Sequence, residues 1–255
     1  MAECEERMNE NVRMKFLNTY IDNVTMEEAV DRIDQLVQAK KPSYVVTPNV
    51  DHIVKLEDDK EFAQIYEEAD LILTDGKPLL WIAKKLGTPI KEKVSGSDLF
   101  PRVCQMAAEK GYKMYFLGAA EGVAAKAAEN LKAKYPGLQI VGTYSPSFGF
   151  EQKEDEMKEI ERMLKEAAPD ILVVGLGCPK QEKFAYKYGR SYGIPVSLGL
   201  GASIDFEAGN VKRCPAWMSQ CGLEWFYRLL KEPKRMYKRY LVDDRKILKI
   251  YKKYK

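Results

Sequence analysis

Five places along the chain set polar, acidic or glycine residues directly after a short apolar, often β-branched run: Thr47-Pro48-Asn49, Thr74-Asp75-Gly76, Gly118, Gly175-Leu176-Gly177 and Gly199-Leu200-Gly201. A carboxylate fixed on such a turn can accept a hydroxyl proton as that oxygen attacks an electrophile, and Gly76 leaves room for a substrate beside Asp75. Asp75 is therefore the leading candidate for a general base, although an Asp-Gly turn that hydrogen-bonds its own backbone fits the same residues. Thr47 and Asn49 offer neutral hydrogen-bonding groups of the kind that suit sugar hydroxyls; a Pro turn closing a strand would place them there as well.

The fourth place is the richest. The apolar run Ile171 to Val174 stops at Gly175 and Gly177, and Pro179 opens a helical stretch that begins with Lys180, Gln181 and Glu182. Glycines let a ligand approach the backbone, and the free N–H groups and positive dipole at a helix start favour an anion such as phosphate. An ordinary strand-to-helix turn would use the same glycines. Cys178 sits inside this turn, but the only histidine, His52, is remote in sequence, so a small buried thiol is the expected role. Asp205 with Glu207 is the one acidic pair that resembles a D-x-D metal clamp, and a tight turn or helix cap explains it equally. With no other cluster of His, Cys and carboxylate, neither a metal nor a cofactor is expected. Any phosphate leaving group must then be neutralised by side chains.

The end of the chain supplies them. From Val211 to Lys255 there are 14 Lys+Arg against 4 Asp+Glu, whereas the first 210 residues carry 27 against 34, so the net charge of +3 conceals an acidic body and a basic tail. Arg228 and Arg235, with Lys231, Lys234, Lys238 and Arg239, form a dense cationic group, and guanidinium matches diphosphate oxygens. Trp217, Trp225, Phe226, Tyr227, Tyr237, Tyr240, Tyr251 and Tyr254 are interleaved with them. Basic, aromatic and amphipathic together describe a helix lying on an anionic lipid surface. The same composition describes a helix packed on its own domain, or an arm that binds nucleic acid.

The elements that position these residues alternate. After a polar start and a short hairpin around Asn18, the spacing predicts strands at 44–47, 71–74, 114–117, 138–141, 171–174 and 195–198, separated by helices including 98–110 with Ser97 as cap. Continuous apolar strands joined by helices imply an α/β fold: an open, mostly parallel, Rossmann-like sheet with helices on both faces. Residues 1–210 read as this catalytic domain and 211–255 as a helical appendage. In such sheets ligands bind beyond the carboxyl ends of the strands, which is where all five turns would gather into one cleft. A length of 255 residues, of which 45% are hydrophobic, suffices for a sizeable core. The polar stretch Met1 to Glu10 gives no signal-peptide pattern, no apolar run reaches membrane-spanning length, and five unpaired cysteines fit a cytoplasmic chain.

The ordered set Thr47-Pro-Asn49, Thr74-Asp-Gly76, Gly96-Ser-Asp98, Phe116-Leu-Gly118, Gly175 to Glu182, Gly199 to Gly209, Gly222 to Arg228, and Glu232-Pro233 through Arg239-Tyr240 resembles the WecG/TagA/CpsF family of bacterial glycosyltransferases over nearly the whole chain. The basic, aromatic appendage is most like that of family members that transfer N-acetylmannosamine. This resemblance implies a UDP-N-acetylmannosamine donor and the 4-hydroxyl of GlcNAc on undecaprenyl diphosphate as acceptor. The product would be the β-linked disaccharide on which wall teichoic acid is built, made by an inverting, metal-independent reaction. The enzyme would sit peripherally on the inner face of the cell membrane. Carried over by position, the resemblance makes Asp75 the base. Thr47, Asn49 and Gln181 become pocket residues, and Arg228 and Arg235 arginines that close on the diphosphate. Lys238 stands where a third arginine is expected.

Three alternatives remain open on sequence. A nucleotide-dependent oxidoreductase would need a full G-x-G-x-x-G, but Lys180 occupies the third position after Gly175 and Gly177. A nucleic-acid module would use the tail, although no nucleic-acid partner is expected. A sibling transferase would use another UDP-sugar, such as N-acetylmannosaminuronic acid or glucose. The oligomeric state stays open, a homo-oligomer included; removing the tail is expected to expose apolar surface and promote self-association.

Overall fold

In the computed structural model, which describes residues 13–255, the chain divides into two compact units. The expected features at Met1 to Glu10 and Cys4 lie outside the described residues. One unit joins Glu27–Val46 with Gly96–Lys212; the other joins residues 13–26 with Thr47–Ser95 and Arg213–Lys255.

Strand numbering follows the chain: β1 is Arg13–Phe16, β2 Thr19–Asp22, β3 Ser43–Val46, β4 Leu71–Ile72, β5 Lys113–Gly118, β6 Gln139–Tyr144, β7 Ile171–Gly175 and β8 Val196–Gly199. In the first unit five strands pair in the order β3-β8-β7-β5-β6, every pair parallel. The four residues Ile171, Leu172, Val173 and Val174 at its centre are completely buried, as a strand covered on both faces requires. Alternation within β5 shows the two coverings. Tyr115 and Leu117 join Leu172 and Val174 in a cluster with Ile160 and Leu164 of the Glu154–Ala167 helix. Phe116 points the other way and meets Phe100 of the Gly96–Lys110 helix edge-on, ring centroids 5.3 Å apart. That helix starts at Gly96, so Ser97 lies inside its first turn and is not the cap expected from sequence.

The carboxyl ends of β5 and β7 approach so closely that a Cβ on Gly118 would stand 2.5 Å from the backbone carbonyl of Gly175. Gly118 also has φ +121°, which makes glycine obligatory there on two counts. Ala119 N–H donates to the Gly175 carbonyl at 3.0 Å and locks the crossing.

The second unit opens with the antiparallel β1–β2 hairpin, as expected around Asn18. Arg13 forks onto Asp22 through Nε (2.9 Å) and Nη2 (2.7 Å), and Asp22 Oδ2 also accepts from the backbone N–H of Ile72 in β4, at 2.8 Å. That buried carboxylate ties the hairpin to β4. Helices Val50–Asp58, Lys60–Glu67 and Lys77–Lys85 follow. The chain's end completes this unit with helices Ala216–Gln220, Glu224–Lys231 and Pro233–Tyr237, a π-turn at Lys238–Asp243 and a final helix Ile247–Tyr254. Met236 and Ile250 are buried in it, and Lys246 and Lys253 pair with Asp58 and Glu57 of the Val50–Asp58 helix. The segment beyond residue 212 therefore packs into one compact unit with Thr47–Ser95. No helix among the described residues is long and apolar enough to cross a membrane.

Candidate active site

Asp75 follows β4, and its backbone N–H donates to the carbonyl of Pro48 at 2.8 Å. The preceding residue, Thr74, accepts from Val94 N–H at 2.9 Å, so the turn carrying Asp75 is held from both sides. Gly76 has φ +97°, a conformation that swings the chain at once into the Lys77–Lys85 helix with Pro78 in its first turn. The result is a carboxyl group fixed in the wall of a cavity of about 400 Å³.

Asn49, Asp75, Lys93, Glu224, Arg228 and Arg239 supply much of the polar part of that cavity, together with Lys77, Ser219, Asp244 and Arg245; Val50, Pro78, Trp225, Tyr240, Ile247 and Leu248 supply much of the apolar part. Burial, then the charge of Glu224, push the Asp75 carboxyl up to about 6, against opposing pulls from Arg228, Lys93 and His52. At neutral pH such a group is mostly ionised yet about a hundredfold more basic than an ordinary aspartate, which suits proton abstraction from a hydroxyl. Arg228 Nη2 donates to Glu224 Oε1 at 2.6 Å, one helical turn away. Burial acts to lower the Arg228 pKa, but Glu224 and Asp75 outweigh it and hold the guanidinium charged.

Asn49 has a structural duty as well as a place in the cavity. It caps the Val50–Asp58 helix, its Oδ1 accepting from the N–H groups of Asp51 (3.1 Å) and His52 (3.4 Å), while the His52 ring reaches back to the Asn49 N–H. His52 is otherwise buried against Phe62 and Tyr66, the helix role expected for it. The same Asn49 Oδ1 accepts from Arg239 Nη2 at 3.2 Å, and Asp51 Oδ2 lies 3.8 Å from that nitrogen. Burial acts to raise the pKa of Asp51, but a hydrogen bond from Lys55 and the charge of Arg239 keep it below the usual carboxylate range. Replacing Asn49 with Ala removes the cap and one anchor of Arg239. A stability loss of about 1–2 kcal/mol is expected in denaturant titration, with a fall in turnover beyond what that loss explains.

Sequence and structure differ within the tail. Lys238 is exposed and does not line the cavity, whereas its neighbour Arg239 does. Successive residues point about 100° apart on a helix, and the π-turn beginning at Lys238 shifts the phase further. Thr47 is buried and lies outside the cavity lining, and the side chain of Arg235 lies outside the described residues. Lys93, Glu224 and Asp244 were not anticipated. Glu224 carried the one readable signal, since it stands four residues before Arg228. Asp244 shares the cavity and is likewise pushed up to about 6, by burial first.

The other sequence candidates belong to the sheet unit. Gln181 is buried, its Oε1 accepting from Gly201 N–H at 3.0 Å and its Nε2 donating to Glu182 Oε1 at 2.8 Å. It thus braces the turn after β8, and a Cβ on Gly199 would stand 3.5 Å from its Nε2. Gly177 has φ +76° with open space where a Cβ would be, so its conformation, not its contacts, demands glycine. Pro179 is the N-cap rather than a first-turn residue, and the α-helix after it, Lys180–Phe184, passes directly into a π-turn. Lys180 Nζ meets Glu151 Oε1 at 2.7 Å. Asp205 lies in the Ser203–Ala208 helix, while Glu207 turns toward Lys134, 3.9 Å away, so the two do not form a clamp.

This chain is similar to several curated proteins. The curated "N-acetylglucosaminyldiphosphoundecaprenol N-acetyl-beta-D-mannosaminyltransferase" of Bacillus spizizenii W23 is 34% identical over 195 residues, 76% of this chain and 74% of that protein. The protein of the same name in Bacillus subtilis 168 is 32% identical over 197 residues, 77% of this chain and 74% of its own. That of Staphylococcus aureus MW2 is 27% identical over 234 residues, 91% and 89% of the two chains. Residues 14–255 match the description of the Glycosyl transferase WecG/TagA/CpsF family, to which this chain belongs.

Proposed function

We propose that this chain moves N-acetylmannosamine from UDP-N-acetylmannosamine to the 4-hydroxyl of GlcNAc on undecaprenyl diphosphate, with inversion and without a metal. The observation that carries this reading is one cavity holding the Asp75 carboxyl group of raised basicity together with three arginines, Arg228, Arg239 and Arg245. The names of the relatives support the choice of sugar and acceptor.

In this reaction the acceptor oxygen attacks the anomeric carbon while the bond from that carbon to the diphosphate oxygen breaks. Asp75 takes the hydroxyl proton as the new glycosidic bond forms, and UDP departs with the electron pair. Arg228 and Arg239 stabilise diphosphate charge with planar, multidentate guanidinium groups, the task a divalent cation performs elsewhere. The apolar portion of the cavity, from Val50, Ile247 and Leu248, suits a lipid-borne acceptor. Lys and aromatic residues exposed on the tail, among them Lys234, Tyr237 and Lys238, favour peripheral attachment to an anionic inner membrane surface.

Product analysis with purified protein, a panel of UDP-sugars and a GlcNAc-diphosphate-lipid analogue tests the proposal. A 1,4-linked disaccharide of inverted anomeric configuration, made from UDP-N-acetylmannosamine and undiminished by chelator, is expected. Transfer of a different sugar, retention, or loss of activity with chelator would contradict it.

A further inference from the structure

Besides Asp75 the cavity is lined by two more carboxylates, Glu224 and Asp244, and general-base catalysis by Asp75 leaves Glu224 unused. It stands in the first turn of the Glu224–Lys231 helix and holds Arg228 Nη2 at 2.6 Å. Its side chain and that of Arg228 are similarly accessible, 32% and 31%, so the pair sits at the cavity wall and not in a dry interior. A lone Arg228 would have several rotamers; the ion pair fixes one nitrogen of the fork and so restricts the orientation of the whole planar group. Its backbone position is fixed too. Gly222, just before the helix, has φ +74°, and a Cβ there would stand 2.8 Å from the Trp81 ring, so the helix start is seated directly on the Lys77–Lys85 helix that follows Asp75.

We infer that Glu224 is a positioning residue for the transfer reaction: it orients the Arg228 guanidinium and places its own negative charge in the cavity wall that Asp75 shares. The inference rests on the reading of Asp75 as the base. The groups facing Asp75 are Glu224 and Arg228 on one helix, Lys93 on the loop after the Lys77–Lys85 helix and His52 on the Val50–Asp58 helix. Lys77, Arg239, Asp244 and Arg245 also line the same cavity. Of these, Glu224 contributes the leading negative charge, and the cations oppose it. Removing the charge of Glu224 while keeping its oxygen as an acceptor should therefore make Asp75 a weaker base without releasing Arg228. Removing the side chain should do both.

The test compares Glu224→Gln and Glu224→Ala with the unaltered chain. Two readouts are used: the pH dependence of kcat/KM with UDP-N-acetylmannosamine and a GlcNAc-diphosphate-lipid analogue, and the carboxyl ¹³C titration of Asp75 in the substrate-free protein. In E224Q the Asp75 midpoint should fall by about half a pH unit or more, and the acid limb of kcat/KM should move with it. In E224A kcat should fall a further ~10-fold or more as Arg228 loses its anchor, with a smaller change in KM for the sugar donor. A role confined to fold stability would change melting and leave both midpoints in place. An unmoved Asp75 midpoint in folded E224Q would overturn the inference. A moved carboxyl midpoint with an unmoved kinetic limb would leave the tuning intact and overturn Asp75 as the base.

Discussion

Asp75→Asn is expected to lower turnover by about 10³-fold while raising the stability of the substrate-free protein at neutral pH. The two effects have one cause. The amide is close in size to the carboxylate, keeps a hydrogen-bonding group in the cavity and cannot take a proton. In the native chain the carboxyl pKa is raised to about 6, by burial and then by Glu224, from an ordinary 3.8. Below about pH 4 the group is protonated whether the chain is folded or not, and it contributes nothing to the pH dependence. Between about 4 and 6 the folded chain holds a proton that the unfolded chain releases, so stability falls as pH rises through that window. Above it the penalty is complete. Asn removes the penalty, so D75N should be more stable by roughly 1–3 kcal/mol at pH 7–8 and indistinguishable from the parent near pH 4. Asp244 is also raised to about 6, but it is present in both proteins and cancels in the comparison. Denaturant titration at the two pH values measures the difference. A destabilised D75N at pH 8 would contradict the environment described for Asp75.

Arg228→Ala carries the second large effect. It removes a guanidinium group that opposes the negative charge of Glu224 at Asp75 and faces the cavity. Loss of one such donor to a developing charge costs about 10²–10³ in turnover. It also leaves Glu224 uncompensated beside Asp75, so the acid limb of the pH profile should shift upward, opposite to the shift expected for E224Q. Arg228→Lys keeps the charge and loses the fork; it should restore the position of the limb but only part of the turnover. If R228A transferred sugar at near-normal rates in a folded protein, charge neutralisation by the tail would have to be abandoned.

The sheet was open to reading because its strands are continuous apolar runs buried on both faces. Ile171 to Val174 shows this best: four buried residues in sequence followed by a glycine turn. Asp75 and Arg228 were legible for a similar reason, since a carboxylate after a strand and an arginine on an aromatic-rich helix stand out locally. What sequence could not convey was tertiary. Nothing in the order of residues reveals that 213–255 folds into one compact unit with 47–95, which is what brings Arg239 to Asn49 across 190 positions. Lys238 and Arg239 could not be ranked without the π-turn that rotates one outward and the other inward. Gln181 and Asn49 illustrate another limit. Both have polar groups that look available to a substrate, yet one braces the Gly201 turn and the other caps a helix.

The pH dependence of kcat/KM for the unaltered chain, measured between pH 4.5 and 8.5 with donor and acceptor both varied, bears most directly on the assignment of Asp75. A single acid limb with a midpoint near 6 and a tenfold fall per pH unit below it is the expected result, absent from the residual activity of D75N. A profile flat across pH 5–7, or an acid limb that survives intact in D75N, would show that another group takes the acceptor's proton.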